Sequence, residues 1–182
     1  MQKNQEKDEK SADLPTSPEK LLKELDRLGI DYKIHHHPAV FTVEESLSVT
    51  KHIPGAHCRN LYLRDRKKRN FLVVARNETE IDLKSLEKAL ECGRLSFGSA
   101  DRLWQYLGVE PGSVCPFAVI NDTDRTVRVV LDKSMMDHER VNFHPLKNTM
   151  TIGLSPEDLE RFLEFTGHDS VVLDLQALKT TS

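Results

Sequence analysis

The sequence predicts an α+β fold: one domain with a mixed, largely antiparallel sheet flanked by helices. Apolar β-rich runs and capped helical segments succeed one another irregularly, whereas an all-parallel sheet demands strict strand–helix alternation. No internal repeat is visible. The 182 residues, 38% hydrophobic and 30% charged, suffice for one core beneath a heavily charged surface.

Residues 1–16 mix charges of both signs with almost no apolar side chains and are expected to form a disordered leader. The folded unit then spans 17–178, leaving 179–182 as a tail. Ser17-Pro18-Glu19 opens a helix with an N-cap and a first-turn proline; Leu21, Leu25 and Leu28 recur at helical spacing, and Gly29 stops it. Tyr32, Ile34 and the triplet His35-His36-His37 run as a strand into Pro38. Thr42-Val43-Glu44-Glu45 is a capping box opening a short second helix. Leu61-Tyr62-Leu63 and Phe71-Leu72-Val73-Val74 form a hairpin whose tip, Arg64 to Asn70, is polar and basic. Asp82 caps a helix to about Glu91, ending at Gly93, and Ser99 caps another, stopped by Gly108. Phe117 to Ile120 and Val127 to Lys133 flank the turn-forming Asn121-Asp122-Thr123-Asp124, which predicts a second hairpin. Met150 to Leu154 is a strand, Ser155-Pro156-Glu157-Asp158 starts a last helix ending at Gly167, and Val171 to Leu175 closes the chain as a strand.

A net charge of −3 advertises no polyanion partner for the molecule as a whole. Locally it is otherwise: Arg59, Arg64, Arg66, Lys67, Lys68 and Arg69 face a single acid, Asp65. That stretch fits either a solvated turn or phosphate contact. The first ten residues lack the apolar core of a secretory signal, and the longest apolar runs, such as Phe71 to Ala75, fall far below the ~20 residues of a membrane span. Cys58, Cys92 and Cys115 are odd in number and widely spaced, which suits reduced thiols in the cytoplasm rather than a disulfide framework or zinc knuckle.

Metal chemistry at the histidine triplet is disfavoured: only His35 and His37 share a strand face, and no cluster at zinc spacing accompanies them. No Gly-x-Ser-x-Gly elbow, Gly-x-x-x-x-Gly-Lys loop or Gly-x-Gly-x-x-Gly loop is present. Pro111-Gly112-Ser113-Val114-Cys115-Pro116 is a short loop pinned by Gly and Pro, of the kind that aims backbone N–H groups at an oxyanion. Val141 to Asn148 gathers His144, Lys147 and two asparagines around Pro145, either as an ordinary polar connection or as part of a site.

Together, His37 to Glu45, Gly55-Ala56-His57-Cys58-Arg59-Asn60-Leu61-Tyr62-Leu63, Pro111 to Phe117 and Val141 to Asn148 resemble one family. It is the free-standing prolyl-tRNA editing proteins, the ProXp-ala or PrdX-like branch of the YbaK/prolyl-tRNA-synthetase-associated superfamily. Asn121-Asp122-Thr123, Val130-Leu131-Asp132-Lys133 and Gly167-His168 fit the same template, so the match covers roughly residues 18 to 176.

The resemblance implies that family's fold and a hydrolase acting in trans, removing alanine from mischarged Ala-tRNA(Pro) without metal or other cofactor. A proline pocket cannot strongly reject a smaller side chain, so a second, hydrolytic site corrects the error. Carried over by position, Arg59, Asn60, Gly112, Ser113 and His144 fall at the catalytic positions. Phe41, Val43, Cys115, Pro116 and Asn148 shape the substrate pocket. Arg64 and Arg94, with Lys67 and Lys68 of the hairpin tip, meet the tRNA acceptor end. The implied partners are tRNA(Pro) and prolyl-tRNA synthetase. One departure matters: Arg59 stands where the family has a lysine, replacing a compact point charge with a planar, permanently charged fork. Two alternatives remain open, Cys-tRNA(Pro) as substrate and a domain that binds tRNA or synthetase without turnover.

Overall fold

The computed structural model describes residues 14–180. The helix signals act as expected. Ser17 Oγ accepts from Lys20 N–H and caps α1 (Pro18–Arg27). Thr42 Oγ1 accepts from Glu45 N–H at 3.1 Å while the Glu45 carboxylate accepts from Phe41 N–H at 2.7 Å, a reciprocal cap on α2 (Val43–Thr50). Asp82 caps α3 (Leu83–Ala89), Ser99 caps α4 (Ala100–Leu107) and Ser155 caps α6 (Pro156–Thr166). Between them, α5 (Lys133–Met136) is one turn capped by Asp132, and α7 (Leu175–Thr180) ends the described chain.

Eight strands form one sheet: β1 (Tyr32–His36), β2 (Ala56–Asp65), β3 (Asn70–Arg76), β4 (Leu95–Phe97), β5 (Val127–Asp132), β6 (Val141–Phe143), β7 (Met150–Leu154) and β8 (Ser170–Leu173). Their order is β1-β7-β6-β2-β3-β5-β8, with β4 added to β2. The β1/β7, β7/β6, β2/β3 and β2/β4 pairs are antiparallel, and β6/β2, β3/β5 and β5/β8 are parallel. The sheet is mixed and flanked by helices, as expected. Burial follows the pairing. In the central parallel pair, Phe71 to Ala75 and Val129 to Leu131 are all buried, because both faces of the sheet are covered. One core packs Tyr62, Leu72, Val74, Val129 and Leu131 against α1, α4 and α6; the other packs Leu63, Phe71, Val73 and Val130 beneath Leu86 and Leu175.

The second predicted hairpin does not form. Pro116–Asn121 is a 3-10 helix, and β5 pairs in parallel with β3 and β8. Pro116 at the first helical position has a preset φ and no N–H to give a ladder. Phe117 is fully buried and meets Phe143 and Phe162 edge-on at 5.9 and 5.3 Å, so the short apolar run is a wholly internal helix, which periodicity cannot tell from a strand. Asp122 ends it by accepting from Val127 N–H, Thr126 Oγ1 and the buried His168 Nε2 at 2.9 Å. Leu175, expected in the closing strand, starts α7 instead. The leader expected over 1–16 lies outside the described residues for 1–13. Its last residues pack: Leu14 joins the core margin, and Thr16 Oγ1 donates to Asn121 Oδ1 at 2.7 Å. Of the expected tail, Lys179 and Thr180 are in α7, and 181–182 lie outside the described residues.

Candidate active site

The site sits at a gap in the sheet. On the side of β2 away from β3, β6 pairs only Ala56 and His57, and β4 pairs only Leu63 to Asp65. Ala56 N–H donates to Arg140 O, and Tyr62 O accepts from Gly98 N–H, both at 2.9 Å, so the even-numbered residues of β2 direct their main chain toward this edge. Asn60, lying between the two paired stretches, therefore points its N–H and C=O into the open interval.

A cleft of about 170 Å³ occupies the interval. It is lined by Cys58 and Asn60 of β2, by Val40, Phe41, Val43 and Ser46 at the start of α2 and before it, by Gly112 and Val114 of the loop, and by Asn77 and His144. A second cavity of about 260 Å³ shares Phe41 and is lined by Leu14, Pro111, Ser113 and Asn148, among others. The Phe41 segment is clamped: Val40 N–H donates to Asn148 O at 3.3 Å, and Asn148 Nδ2 returns a bond to Val40 O at 2.6 Å.

His144 is held in one tautomer. Its Nδ1 donates to Met150 O at 3.1 Å, because a carbonyl can only accept, and Nε2 is left as the acceptor. Thr151 lies alongside, its hydroxyl donating to His37 Nε2 at 2.8 Å while His37 Nδ1 donates to Pro38 O at 2.9 Å. Burial lowers the His144 pKa below the ordinary histidine value, the neighbouring His37 adds to the fall, and the Met150 carbonyl opposes it. The ring is thus neutral near pH 7 and presents a lone pair.

In the loop, Gly112 takes φ +90°, a conformation open to glycine and strained for any other residue. Ser113 N–H is already committed to Glu110 O at 3.0 Å, which leaves Gly112 and Val114 as the loop residues that face the cleft. Cys58 lines the cleft as a neutral thiol: burial pushes its pKa up to about 12, with the Asp132 carboxylate adding to the shift. A thiol so raised is no nucleophile at neutral pH.

The structure brings Arg59, Asn60, Gly112, His144, Phe41 and Val43 together in the lining of the cleft. Ser113 and Asn148 line the adjoining cavity instead. Cys115 and Pro116 are buried beneath the loop and line neither space, a correction to the expected pocket: Cys115 is fully enclosed in the core, where its thiol is raised to about 11. Arg59 reaches the cleft edge, but strand alternation puts it on the sheet face opposite Asn60, where its guanidinium donates to Thr79 O at 2.8 Å. Arg64 lies over the Tyr106 ring at 5.8 Å, Arg94 is exposed beside β4, and Lys67 and Lys68 are exposed at the hairpin tip. Val114 lines the cleft with the loop backbone as expected, whereas Asn77 and Ser46 line it without having been expected there. Ser46 carries a signal in the sequence, since Val43, Ser46 and Thr50 share one helical face; Asn77, just past the last residue of β3, carries none.

The cleft sits at an interrupted edge of a mixed sheet, and the chain belongs to the aminoacyl-tRNA editing domain family, whose model matches residues 37–162. Among its relatives, the mouse prolyl-tRNA synthetase associated domain-containing protein 1 is 39% identical over 159 residues, covering 85% of this chain and 94% of that protein. The prolyl-tRNA editing protein ProX of Acetoanaerobium sticklandii is 38% identical over 156 residues, covering 85% and 95%. A solved structure described as a candidate trans-editing enzyme for prolyl-tRNA synthetase superposes with a TM-score of 0.66 at 17% identity, covering 87% of this chain and 97% of that one, which shows the shared fold. Among the described residues no group of three or more His, Cys, Asp or Glu side chains is placed to hold a metal, and no helix is long and apolar enough to cross a membrane.

Proposed function

We infer that this chain is a cytoplasmic trans-editing deacylase that hydrolyses the ester of Ala-tRNA(Pro), alongside prolyl-tRNA synthetase. The observation carrying the reading is the His144 tautomer: a half-buried, neutral imidazole with Nε2 unprotonated, in a cleft that Gly112 and Val114 also line. A water molecule attacks the ester carbonyl carbon, and Nε2 takes its proton. The N–H groups of Gly112 and Val114 stabilise the oxyanion, with Asn60 N–H as a third donor facing the cleft. Collapse breaks the bond to the ribose 3′-oxygen, which receives the proton from the imidazolium, and alanine and tRNA leave. No cysteine takes part. The small cleft, about 170 Å³, suits a short side chain beside a ribose.

The test is deacylation of Ala-tRNA(Pro), with Cys-tRNA(Pro) alongside, by the wild type and by Gly112→Ala. Nothing lies within 4 Å of a Cβ added there, so the substitution acts through the φ of +90° alone. We expect turnover of the alanyl ester to fall roughly tenfold or more when that strain shifts the oxyanion donors. Wild-type rates in Gly112→Ala would remove the loop from the mechanism. One observation favours a binding-only domain: Arg59, at the family lysine position, is bound to the Thr79 carbonyl on the far face of the sheet. Salt-dependent tRNA binding without turnover would decide for it.

A further inference from the structure

Behind the cleft lies a second, smaller space. It has a volume of about 30 Å³ and is lined by Ser46, Cys58, Asn60, Asn77, His144 and Thr151, among others. Nearly every side chain facing it is polar. The first five of these also line the cleft, and Thr151 lies against His144, so the two spaces adjoin at these residues. A space of this volume exceeds the ~10–15 Å³ that one water molecule needs and leaves no room for an organic ligand.

Asn60 supplies the second observation. Its Oδ1 is buried and has no hydrogen-bond donor among the described residues. A buried amide oxygen without a donor is costly, and such groups in folded proteins are almost always satisfied by protein or by ordered water. His144 Nε2 is the acceptor nitrogen of its ring, because Nδ1 is tied to Met150 O. Asn60 and His144, with Asn142, whose Oδ1 is likewise buried without a donor among the described residues, line one water-sized, polar recess.

We propose that this recess binds the hydrolytic water. The water donates one hydrogen to Asn60 Oδ1 and the other to His144 Nε2, and the Ser46 hydroxyl and the Asn77 amide donate to its oxygen. That gives Asn60 Oδ1 its donor and His144 Nε2 its hydrogen, and gives the water the two to four partners a buried site requires. It also poises the molecule for the reaction. The water oxygen forms the new bond to the carbonyl carbon; the hydrogen already shared with Nε2 moves to the imidazole; the electron pair released when the oxyanion collapses leaves with the ribose 3′-oxygen, which takes that proton. Asn60 and Ser46 are positioning residues here, acting through the water. The recess refills from the cleft after each turnover.

This rests on the deacylase reading, and the experiment separates the two. Ser46→Val keeps the side chain small enough for the helix but occupies the recess and removes a donor; Ser46→Ala removes the donor and leaves the space. We expect Ser46→Val to lower kcat on Ala-tRNA(Pro) by about tenfold or more with KM changed less than about twofold, and Ser46→Ala, which loses one donor to the water but keeps its space, to lower kcat by a smaller factor of about threefold to fivefold. A crystal structure of the wild-type protein at high resolution should show an ordered water within hydrogen-bond distance of Asn60 Oδ1, missing in Ser46→Val. A dry recess in the wild type, or a Ser46→Val protein that turns over at the wild-type rate, overturns the water site while leaving the deacylase intact. A wild-type protein that never hydrolyses the ester overturns both.

Discussion

At the scale of single residues, the decisive feature is the direction of one histidine. The Met150 carbonyl fixes a hydrogen on Nδ1 of His144, and burial keeps the second nitrogen unprotonated. The sign of the pH effect follows. Because burial disfavours the imidazolium, acid must go below the ordinary histidine value of about 6.5 before Nε2 is protonated and the acceptor lost. The kcat–pH profile for deacylation should be flat at neutral pH and fall on the acid side, and His144→Ala should abolish that limb while lowering kcat about 10²-fold. An unchanged profile in His144→Ala would end the base assignment. The thiol facing the same cleft gives the opposite expectation: Cys58→Ala should retain near-wild-type turnover and the wild type should resist alkylation at neutral pH, because its pKa stands at about 12. The residues themselves are legible in the sequence, since Asn60, Gly112 and His144 stand in recognisable segments. The Oδ1 of Asn60 that has no donor is not, because a missing partner is a property of the surroundings.

At the scale of elements, the site depends on how strands are joined. Asp132, at the end of β5, is fully buried and its Oδ2 accepts from Thr79 Oγ1 at 2.6 Å, Ser134 Oγ at 2.8 Å and Arg76 N–H at 3.2 Å. It ties β5 to the segment leaving β3, and the Thr79 carbonyl in that segment holds Arg59. Asp132→Ala would strand these donors, and we expect about 3 kcal/mol of destabilisation in urea unfolding. A change below about 0.5 kcal/mol would mean that the donors find other partners. The caps that start α1, α2, α3, α4 and α6 are all readable in the sequence, because each is a local contact within a few residues of chain. Phe117 to Ile120 forms a 3-10 helix where a strand is expected, because four apolar residues beside a proline carry no usable period.

At the scale of the whole molecule, a chain of net charge −3 carries a cationic hairpin tip. The cluster is smaller than composition suggests. Arg69 is paired with Asp65 at 2.8 Å, and Asp65, whose burial would raise its pKa, is held low by the main-chain N–H groups of Arg69 and Gly93 and by the Arg69 side chain. Arg66, Lys67 and Lys68 remain exposed at the tip. At about 3.4 Å per strand residue, they stand roughly 20 Å along β2 from Asn60. If they meet phosphates of the acceptor end, replacing all three with alanine should weaken tRNA binding and flatten its salt dependence, by about 0.7–0.9 in log–log slope for each phosphate left without its cation. Equal affinity and slope in the triple variant would leave the tip as a solvated turn.

Sequence alone determined the starts of α1, α2, α3, α4 and α6, the first hairpin, the mixed α+β class and the family, because these rest on contacts between near neighbours or on motifs in order. Strand alternation even separates Arg59 from Asn60. Only the tertiary structure decided that β6 and β4 pair opposite ends of β2 and leave the Asn60 backbone open between them. It alone put Ser113 N–H into a turn, took Cys115 out of the pocket and set the polar recess behind His144. The physical reason is common to all of these. Each depends on which remote segment does, or does not, satisfy a main-chain or side-chain hydrogen-bonding group, and that partner is chosen by packing across the sheet rather than by the residues on either side.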